Sequence, residues 1–257
     1  MSRMGEGSVA LADPSEGALA RGEASFRPRG AWTSLLWVGA AEAIRTLVDF
    51  SLDRSTVPHV LVIILSWVTP LIVLFIAVRI ARGSFVAYCN WQWPRGTAIV
   101  LAVVTIVVFE TVLRGGLYLM SGSLKNNLPV EGYQAMITPG TWPWWFVLKY
   151  WPAAILAPLV EETIYRGFLW RGLAASRLGN AGAWVVAALF FASIHYNYYI
   201  QDGHFFPGEL ISPFVFGLIF GFVRWRTGST IAAMITHALG NISLSVLTVL
   251  AVTQGWP

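Results

Sequence analysis

The feature that constrains this chain most is residues 57–78, a run of 22 residues without a charged side chain. At about 1.5 Å of rise per residue, about 20 apolar residues form a helix that crosses the hydrocarbon core of a bilayer. Charged residues make up only 12% of the chain, about half of the share in a soluble domain. One soluble core cannot bury so much apolar surface, so the sequence predicts a membrane protein.

Six apolar segments are candidates for membrane spans. They are residues 57–78, 97–113, 146–171, 182–199, 209–223 and 229–252. A seventh, residues 32–50, is weaker because Glu42, Arg45 and Asp49 form one polar stripe along a helix. Such a stripe suits either an interfacial helix or a span turned toward the bundle interior. We therefore expect an all-α, polytopic transmembrane helical bundle with six to seven spans.

The uneven distribution of arginine among the connections indicates the orientation. Arginines collect in residues 79–96, 166–181 and 224–226, whereas residues 200–208 contain neither Lys nor Arg. Cytoplasmic loops carry the excess of these residues. We expect these three connections to be cytoplasmic in a multi-pass protein of a plasma membrane, of the bacterial inner membrane type. The net charge of +4 is spread without a basic block, which argues against a nucleic-acid partner.

The first thirty residues differ from the rest of the chain. Residues 1–30 are rich in Gly, Ala, Ser and Glu, balance four arginines with four acids, and contain no apolar run. We expect a disordered cytoplasmic arm rather than the core of a signal peptide. Residues 31–257 are expected to form a single transmembrane helical domain, with the functional core at about residues 143–252.

Ionisable and polar side chains inside the apolar segments indicate function, because a charge at mid-membrane costs at least about 2.5–3.5 kcal/mol. The residues of this kind are Glu110, Glu161, Glu162, Arg166, His195, His237 and Asn241. Glu162 and Arg166 are four residues apart, as are His237 and Asn241, so each pair shares a helix face. The first pair also has a simple structural interpretation as a buried ion pair that holds helices together.

Three of these residues fall at similar depth in the predicted membrane. Counted from the predicted cytoplasmic helix ends, Glu161 and His237 lie about 15 Å deep and His195 about 20 Å. A carboxyl group and two imidazoles from three helices at matched depth indicate one site. Glu110 is isolated and is most simply a hydrogen-bonding group of a helix interior, so it is left out of the site.

The candidate residues suit the hydrolysis of an amide bond in or at the membrane. A carboxylate with an imidazole can activate water by general-base catalysis or bind a metal that does so. An Asn beside a His suits stabilisation of an oxyanion. The sequence contains neither Gly-x-Ser-x-Gly nor His-Glu-x-x-His, which argues against a serine hydrolase and a zincin helix. Its one cysteine, Cys89, excludes an internal disulfide and a Cys-based structural zinc site.

Three short motifs resemble those of a known family. The stretch EETIYR, from Glu161 to Arg166, matches EExxxR; FASIH, ending at His195, matches FxxxH; and HALGN, from His237 to Asn241, matches HxxxN. In this order and on separate apolar segments, they resemble the CPBP family of CAAX-processing and bacteriocin-processing intramembrane proteases, also called ABI proteins. Residues 1–142 contain no motif of this family.

The resemblance implies an intramembrane endopeptidase of the Rce1-like type. Glu161 would be the general base, with His195 helping to hold and activate the water. His237 and Asn241 would form the oxyanion hole. Glu162 and Arg166 would orient these catalytic groups. The expected partners are the lipid bilayer and a membrane-associated protein or peptide substrate.

The resemblance leaves metal dependence and catalysis itself open. No cofactor is the favoured expectation; zinc held by Glu161, His195 and His237 is the alternative. A non-catalytic membrane protein of the same fold, acting as a scaffold, immunity or regulatory protein, is a second functional hypothesis. A proton or ion translocator that uses the same ionisable groups is a third, and the missing internal repeat counts against it.

Overall fold

The computed structural model of the chain describes residues 30–52, 57, 59–124, 128, 152–195, 200–201 and 204–253. The predicted N-terminal arm lies outside the described residues except for its last residue, and so do residues 146–151 and 196–199 of two predicted spans. The described residues are helical apart from connections and one two-stranded ribbon. The expectation of an all-α bundle is confirmed.

Nine α-helices occur in the described residues. They are α1 (Ala31–Ser51), α2 (His59–Ile80), α3 (Phe85–Tyr88), α4 (Gly96–Ser121), α5 (Ala157–Glu162), α6 (Trp170–Ala174), α7 (Gly179–Ser193), α8 (Ile211–Thr227) and α9 (Thr230–Thr253). Strand β1 (Ile200–Gln201) pairs antiparallel with β2 (His204–Phe205), and a 3₁₀ turn (Pro207–Leu210) leads into α8.

Three described helical segments are long and apolar enough to cross a membrane: Gly96–Ser121, Pro207–Thr227 and Thr230–Thr253. The apolar part of α2 and all of α7 are shorter. One side of α4 carries valines that are half or more exposed, at positions 100, 104, 107, 108 and 112. Exposed apolar side chains at helical spacing suit contact with lipid tails. The number of six to seven spans stays a prediction.

The segment that carries the two glutamates is one continuous helix with two π-helical parts. Residues 152–174, here called the glutamate helix, comprise a π-helical turn (Pro152–Leu156), α5, a second π-helical part (Thr163–Leu169) and α6. Pro158 has no N–H with which to continue the usual i to i−4 hydrogen bonds, and the first π-helical turn lies just before it. Wide turns of this kind occur mostly as single insertions in α-helices, often at functional sites.

The arginine-bearing connections meet at one end of the bundle. The Asn90 side-chain amide donates to the Gly228 carbonyl, and the Thr230 N–H donates to the Asn90 carbonyl at 3.2 Å. Arg171 of the glutamate helix lies within electrostatic range of Arg224 on α8. All three connections that the arginine pattern assigns to one side therefore lie close together.

The polar stripe of α1 faces the protein interior. Ser66 on α2 donates to the Asp49 carboxylate at 3.3 Å, and Tyr165 on the glutamate helix donates to Glu42 at 2.7 Å. Arg45 donates to the other Glu42 oxygen at 2.7 Å. Of the two arrangements that the sequence left open, the structure shows a helix whose stripe is turned toward the bundle interior.

Helices α7 and α8 approach closely because α8 has glycines at two successive contact positions. A Cβ atom on Gly217 would lie 3.0 Å from the Ala188 Cα, and one on Gly221 would lie 2.6 Å from Cδ1 of Trp184. The GxxxG spacing puts both glycines on one helix face, where small residues let the backbones approach. The Trp184 indole N–H also donates to the Leu218 carbonyl at 2.8 Å across this contact.

We expect the Gly217→Ala variant to lose about 1–3 kcal/mol of unfolding free energy, because the added methyl group meets backbone atoms of α7 that cannot move aside. Unfolding in mixed detergent micelles measures this loss. The matched control is Gly115→Ala on α4, where a Cβ meets nothing within 4 Å; there alanine should stabilise by about 0.5–1 kcal/mol. Equal stability of the Gly217→Ala variant and the unmodified protein would contradict this packing argument.

Candidate active site

A buried ion pair lies at the centre of the bundle. The Glu162 and Arg166 side chains are both completely buried, and Arg166 Nη1 donates to Glu162 Oε1 at 3.0 Å. Arg166 Nη2 donates to the Gly217 carbonyl of α8 at 2.7 Å. A charge without a partner in such a place costs several kcal/mol, so the arginine and the glutamate each depend on the other. This pair therefore ties the glutamate helix to α8.

His237 of α9 joins the same carboxylate. Its Nδ1 lies 2.9 Å from Glu162 Oε1, and its ring stacks on Phe220 of α8 at 4.4 Å between centroids. A carboxylate only accepts hydrogen bonds, so Nδ1 carries the proton in this contact. The contact therefore fixes which His237 nitrogen faces the rest of the site: Nε2, which is an acceptor in neutral imidazole and a donor in imidazolium.

Phe191 of α7 brings the second histidine beside this group. The Arg166 guanidinium carbon lies 4.5 Å from the Phe191 ring centroid. The rings of His195 and His237 lie 4.6 and 5.7 Å from it. His195 Nδ1 is 2.7 Å from the Phe191 carbonyl, so Nδ1 carries the proton and Nε2 the lone pair of the neutral ring. The phenylalanine of FxxxH thus packs between the arginine and both histidines.

Glu161 faces a different space from its neighbour. It lies at a small pocket with Glu42 and Arg45 of α1 and four apolar side chains, among them Trp67 and Ile194. Its Oε2 is buried and has no hydrogen-bond partner among the described residues. Its carboxyl group is within electrostatic range of His237, Glu162, Arg45 and Arg166. The structure thus gives the two adjacent glutamates separate surroundings.

The second π-helical part positions another buried arginine. The Trp170 N–H donates to the Gly167 and Tyr165 carbonyls rather than to the Arg166 carbonyl. That carbonyl accepts from Arg224 Nε at 3.0 Å. Arg224 is buried, and its guanidinium lies 5.8 Å from the Trp170 ring. The wide turn therefore leaves a backbone acceptor that α8 uses to hold the glutamate helix.

The structure brings the predicted residues together to different degrees. Glu162, Arg166 and His237 are in direct contact, and His195 joins them through Phe191. Asn241 is half-buried on α9, one helical turn beyond His237. Its role in the oxyanion hole stays a prediction.

Glu110, which the sequence left out of the site, forms its own pair. Its carboxyl group lies 2.9 Å from Arg114 on the same helix, α4. The two residues are four positions apart and so share a helix face. This pair is a local feature of α4.

Sequence reasoning missed three groups beside the site. Glu42 and Arg45 were recognised only as a polar stripe, and Tyr165 was a motif spacer, yet all three are linked by hydrogen bonds next to Glu161. The signal that could have found them is the stripe itself, because charges in an apolar segment need polar partners in the interior. Nothing in the spacing says which helix provides those partners.

Within the described part of the chain, no three His, Cys, Asp or Glu side chains come together in a way that could hold a metal ion. The alternative zinc ligands do not form such a group; they are Glu161, His195 and His237. The mechanism proposed for this site therefore uses only side chains and water. In the site residues, three buried polar atoms have no hydrogen-bond partner within the described part of the chain: Oε2 of Glu161, Oε2 of Glu162 and Nε of Arg166. Buried atoms of this kind call for a partner such as water or substrate.

The fold and this cluster define a helical membrane protein with an ionisable centre built from carboxyl, guanidinium and imidazole groups. Residues 143–243 match the family model described as Type II CAAX prenyl endopeptidase Rce1-like. The matched part contains all three motifs and covers less than half of the chain, and it confirms the Rce1-like resemblance. No curated protein and no solved structure matches the chain.

We expect the Arg166→Met variant to lose about 3–5 kcal/mol of unfolding free energy, because Glu162 is left buried without its cation. Adding Glu162→Gln to Arg166→Met should recover part of the loss, since the uncompensated charge is then gone. Unfolding in mixed micelles measures both. The exposed Arg177→Met is the control and should change stability by no more than about 0.5 kcal/mol. Full additivity of the two site substitutions would contradict the direct pairing.

Proposed function

We propose that this protein is an intramembrane endopeptidase that hydrolyses a peptide bond of a membrane-associated protein or peptide. The Rce1-like match implies protease activity in general. The observation that carries the mechanism is the different surroundings of the two adjacent glutamates. Glu162 is bound through Oε1 to Arg166 and His237, whereas the carboxyl group of Glu161 lies at a pocket beside Glu42 and Arg45 of α1.

Glu161 is the general base in this proposal. Its carboxylate takes a proton from a water molecule while the water oxygen attacks the carbonyl carbon of the scissile peptide bond. The tetrahedral intermediate then collapses, the C–N bond breaks, and the Glu161 carboxyl group returns the proton to the leaving amine. His195 orients the water through the lone pair on Nε2, because its Nδ1 proton is committed to the Phe191 carbonyl.

His237 and Asn241 stabilise the oxyanion of the intermediate. As a donor through Nε2, His237 must be in its imidazolium form, because Nδ1 already donates to Glu162. Fixed donors in a dry site stabilise a developing oxyanion more than water does.

Glu162 and Arg166 act as positioning residues. Both are fully buried, and Glu162 Oε1 accepts from Arg166 and His237 at once. With one of its oxygens bound to both partners, Glu162 is assigned to positioning and Glu161 to proton transfer. Its role is to orient His237 and to support its positive charge.

Two further parts of the proposal concern the membrane. The arginine-bearing connections lie at one end of the bundle, and the excess of arginine in cytoplasmic loops favours that end as the cytoplasmic one. The site would open toward that side. The substrate is a protein or peptide that reaches the site from the bilayer, as the membrane setting of an Rce1-like protease implies.

We expect Glu161→Gln and His195→Ala each to lower cleavage of a co-expressed membrane-associated substrate at least about 100-fold, because each removes a group needed for water activation. Mass spectrometry of membrane and released peptides measures cleavage and also identifies the substrate. Glu110→Gln is the matched control, since it removes a membrane glutamate that is paired outside the site. Both site variants should remain inserted in the membrane and folded.

Three outcomes would contradict the proposal. Unchanged cleavage by both site variants would exclude the mechanism. No cleavage by the unmodified protein in membranes from its own cells would instead favour the scaffold, immunity or regulatory hypothesis. Flux of protons or ions in reconstituted vesicles that depends on Glu161 would favour a translocator.

We expect chelation to leave the cleavage rate within about twofold of the untreated rate, because the proposed groups activate water without a metal. Purified protein should contain much less than one zinc per chain by elemental analysis. Both measurements are made on protein extracted without added metal. Loss of activity on chelation, with recovery on adding zinc back, would contradict the metal-free mechanism.

A further inference from the structure

We propose that α1 contributes a positioning residue to this site: Arg45, held by Glu42 and Tyr165, acts on the Glu161 carboxyl group. This inference rests on the proposed role of Glu161. It extends the site to a part of the chain that lies outside the family match at residues 143–243. The proposal rests on one observation: Arg45 and Glu161 line the same pocket.

The contacts of Arg45 show that its position is fixed. Its Nε donates to Glu42 Oε2 at 2.7 Å. The other oxygen of Glu42 accepts from the Tyr165 hydroxyl at 2.7 Å. Tyr165 is fully buried in the glutamate helix, four residues after Glu161. The carboxylate of Glu42 is therefore bound from two sides, which holds the guanidinium group on the side of α1 that faces the pocket.

The position of Glu161 explains why this arginine matters. Both side chains line the pocket, and each is within electrostatic range of the other. The other charged or titratable groups around Glu161 are Glu162, Arg166 and Tyr165 on its own helix, Glu42 on α1 and His237 on α9. His195 on α7 lies within electrostatic range of Arg45. Arg166 is bonded to Glu162 and the Gly217 carbonyl. Arg45 is thus the cation that faces the pocket side of Glu161.

A stabilising ion pair at the protein surface does not explain this network. An exposed ion pair contributes little to stability, at most about 1 kcal/mol. Here the Glu42 and Arg45 side chains are only 17% and 26% exposed, inside an apolar bundle. A charged pair at such a place is costly and indicates a functional site. The function that we assign to Arg45 is to favour the carboxylate form of Glu161 against the effect of burial.

Labelling with dicyclohexylcarbodiimide tests the coupling without depending on cleavage, because this apolar reagent reacts with protonated carboxyl groups. In Arg45→Gln, Glu161 should be labelled about five- to tenfold faster at pH 9, where the carboxylate predominates in the unmodified protein, since a neighbouring cation favours the carboxylate over the carboxylic acid. Arg45→Lys keeps the charge and should restore the rate to within about threefold of the unmodified protein. Mass spectrometry of the labelled peptide gives the rate.

Two further variants separate this role from a purely structural one. Glu42→Gln removes the acid that competes for Arg45, so Glu161 should be labelled more slowly, opposite in sign to Arg45→Gln. Arg114→Met is the matched control: it breaks the Glu110 pair on α4 and should leave Glu161 labelling unchanged. Equal Glu161 labelling in the unmodified protein, Arg45→Gln and Glu42→Gln would overturn the proposal.

Cleavage measurements complete the test. Arg45→Gln should lower kcat at least about tenfold with KM changed by less than about twofold, because Arg45 acts on the base rather than on the substrate. Arg45→Lys should recover most of kcat. If the protein cleaves nothing, the proposed function fails while the labelling result still stands. If it cleaves and Arg45→Gln keeps full kcat, the role of Arg45 fails and the proposed function remains.

Discussion

The rest of the structure depends on one fully buried carboxylate. Glu162 accepts from Arg166 of its own helix and from His237 of α9 through the same oxygen, while Arg166 reaches the Gly217 carbonyl of α8. In an apolar interior none of these groups can be left without its partners, because an unpaired buried charge costs several kcal/mol. Electrostatics as well as packing therefore hold three helices in one arrangement. That arrangement positions the functional side chains.

Backbone geometry makes this contact possible. The glycine positions of α8 let α7 approach, and Gly217 itself presents the carbonyl that receives Arg166. The π-helical part after Glu162 leaves the Arg166 carbonyl to accept from Arg224. Close approach and a wide helical turn thus serve the same purpose, which is to bring polar atoms of different helices together where water does not supply partners.

The amino-terminal helices also contact the glutamate helix. Trp91, in the turn after α3, donates to the Thr163 hydroxyl at 3.2 Å, and Glu42 of α1 accepts from Tyr165. Gly167 packs against Cys89, where a Cβ would lie 2.9 Å from the cysteine Cβ. The glutamate helix is therefore held on one side by α8 and α9 and on the other by α1 and the connection after α2. The region without family motifs shapes the pocket beside Glu161.

The sequence by itself determined the helical membrane fold, because apolar runs of this length have no other stable arrangement in a bilayer. It also determined the Glu162–Arg166 pair, since i, i+4 spacing is local, and it selected the residues of the candidate centre by their cost in an apolar segment. Only the tertiary structure decided that His237 binds Glu162 rather than its neighbour, that Phe191 packs against both histidines, and that Arg45 shares a pocket with Glu161. These contacts join residues far apart in the chain, and their geometry follows from how helices pack, which side-chain periodicity does not specify.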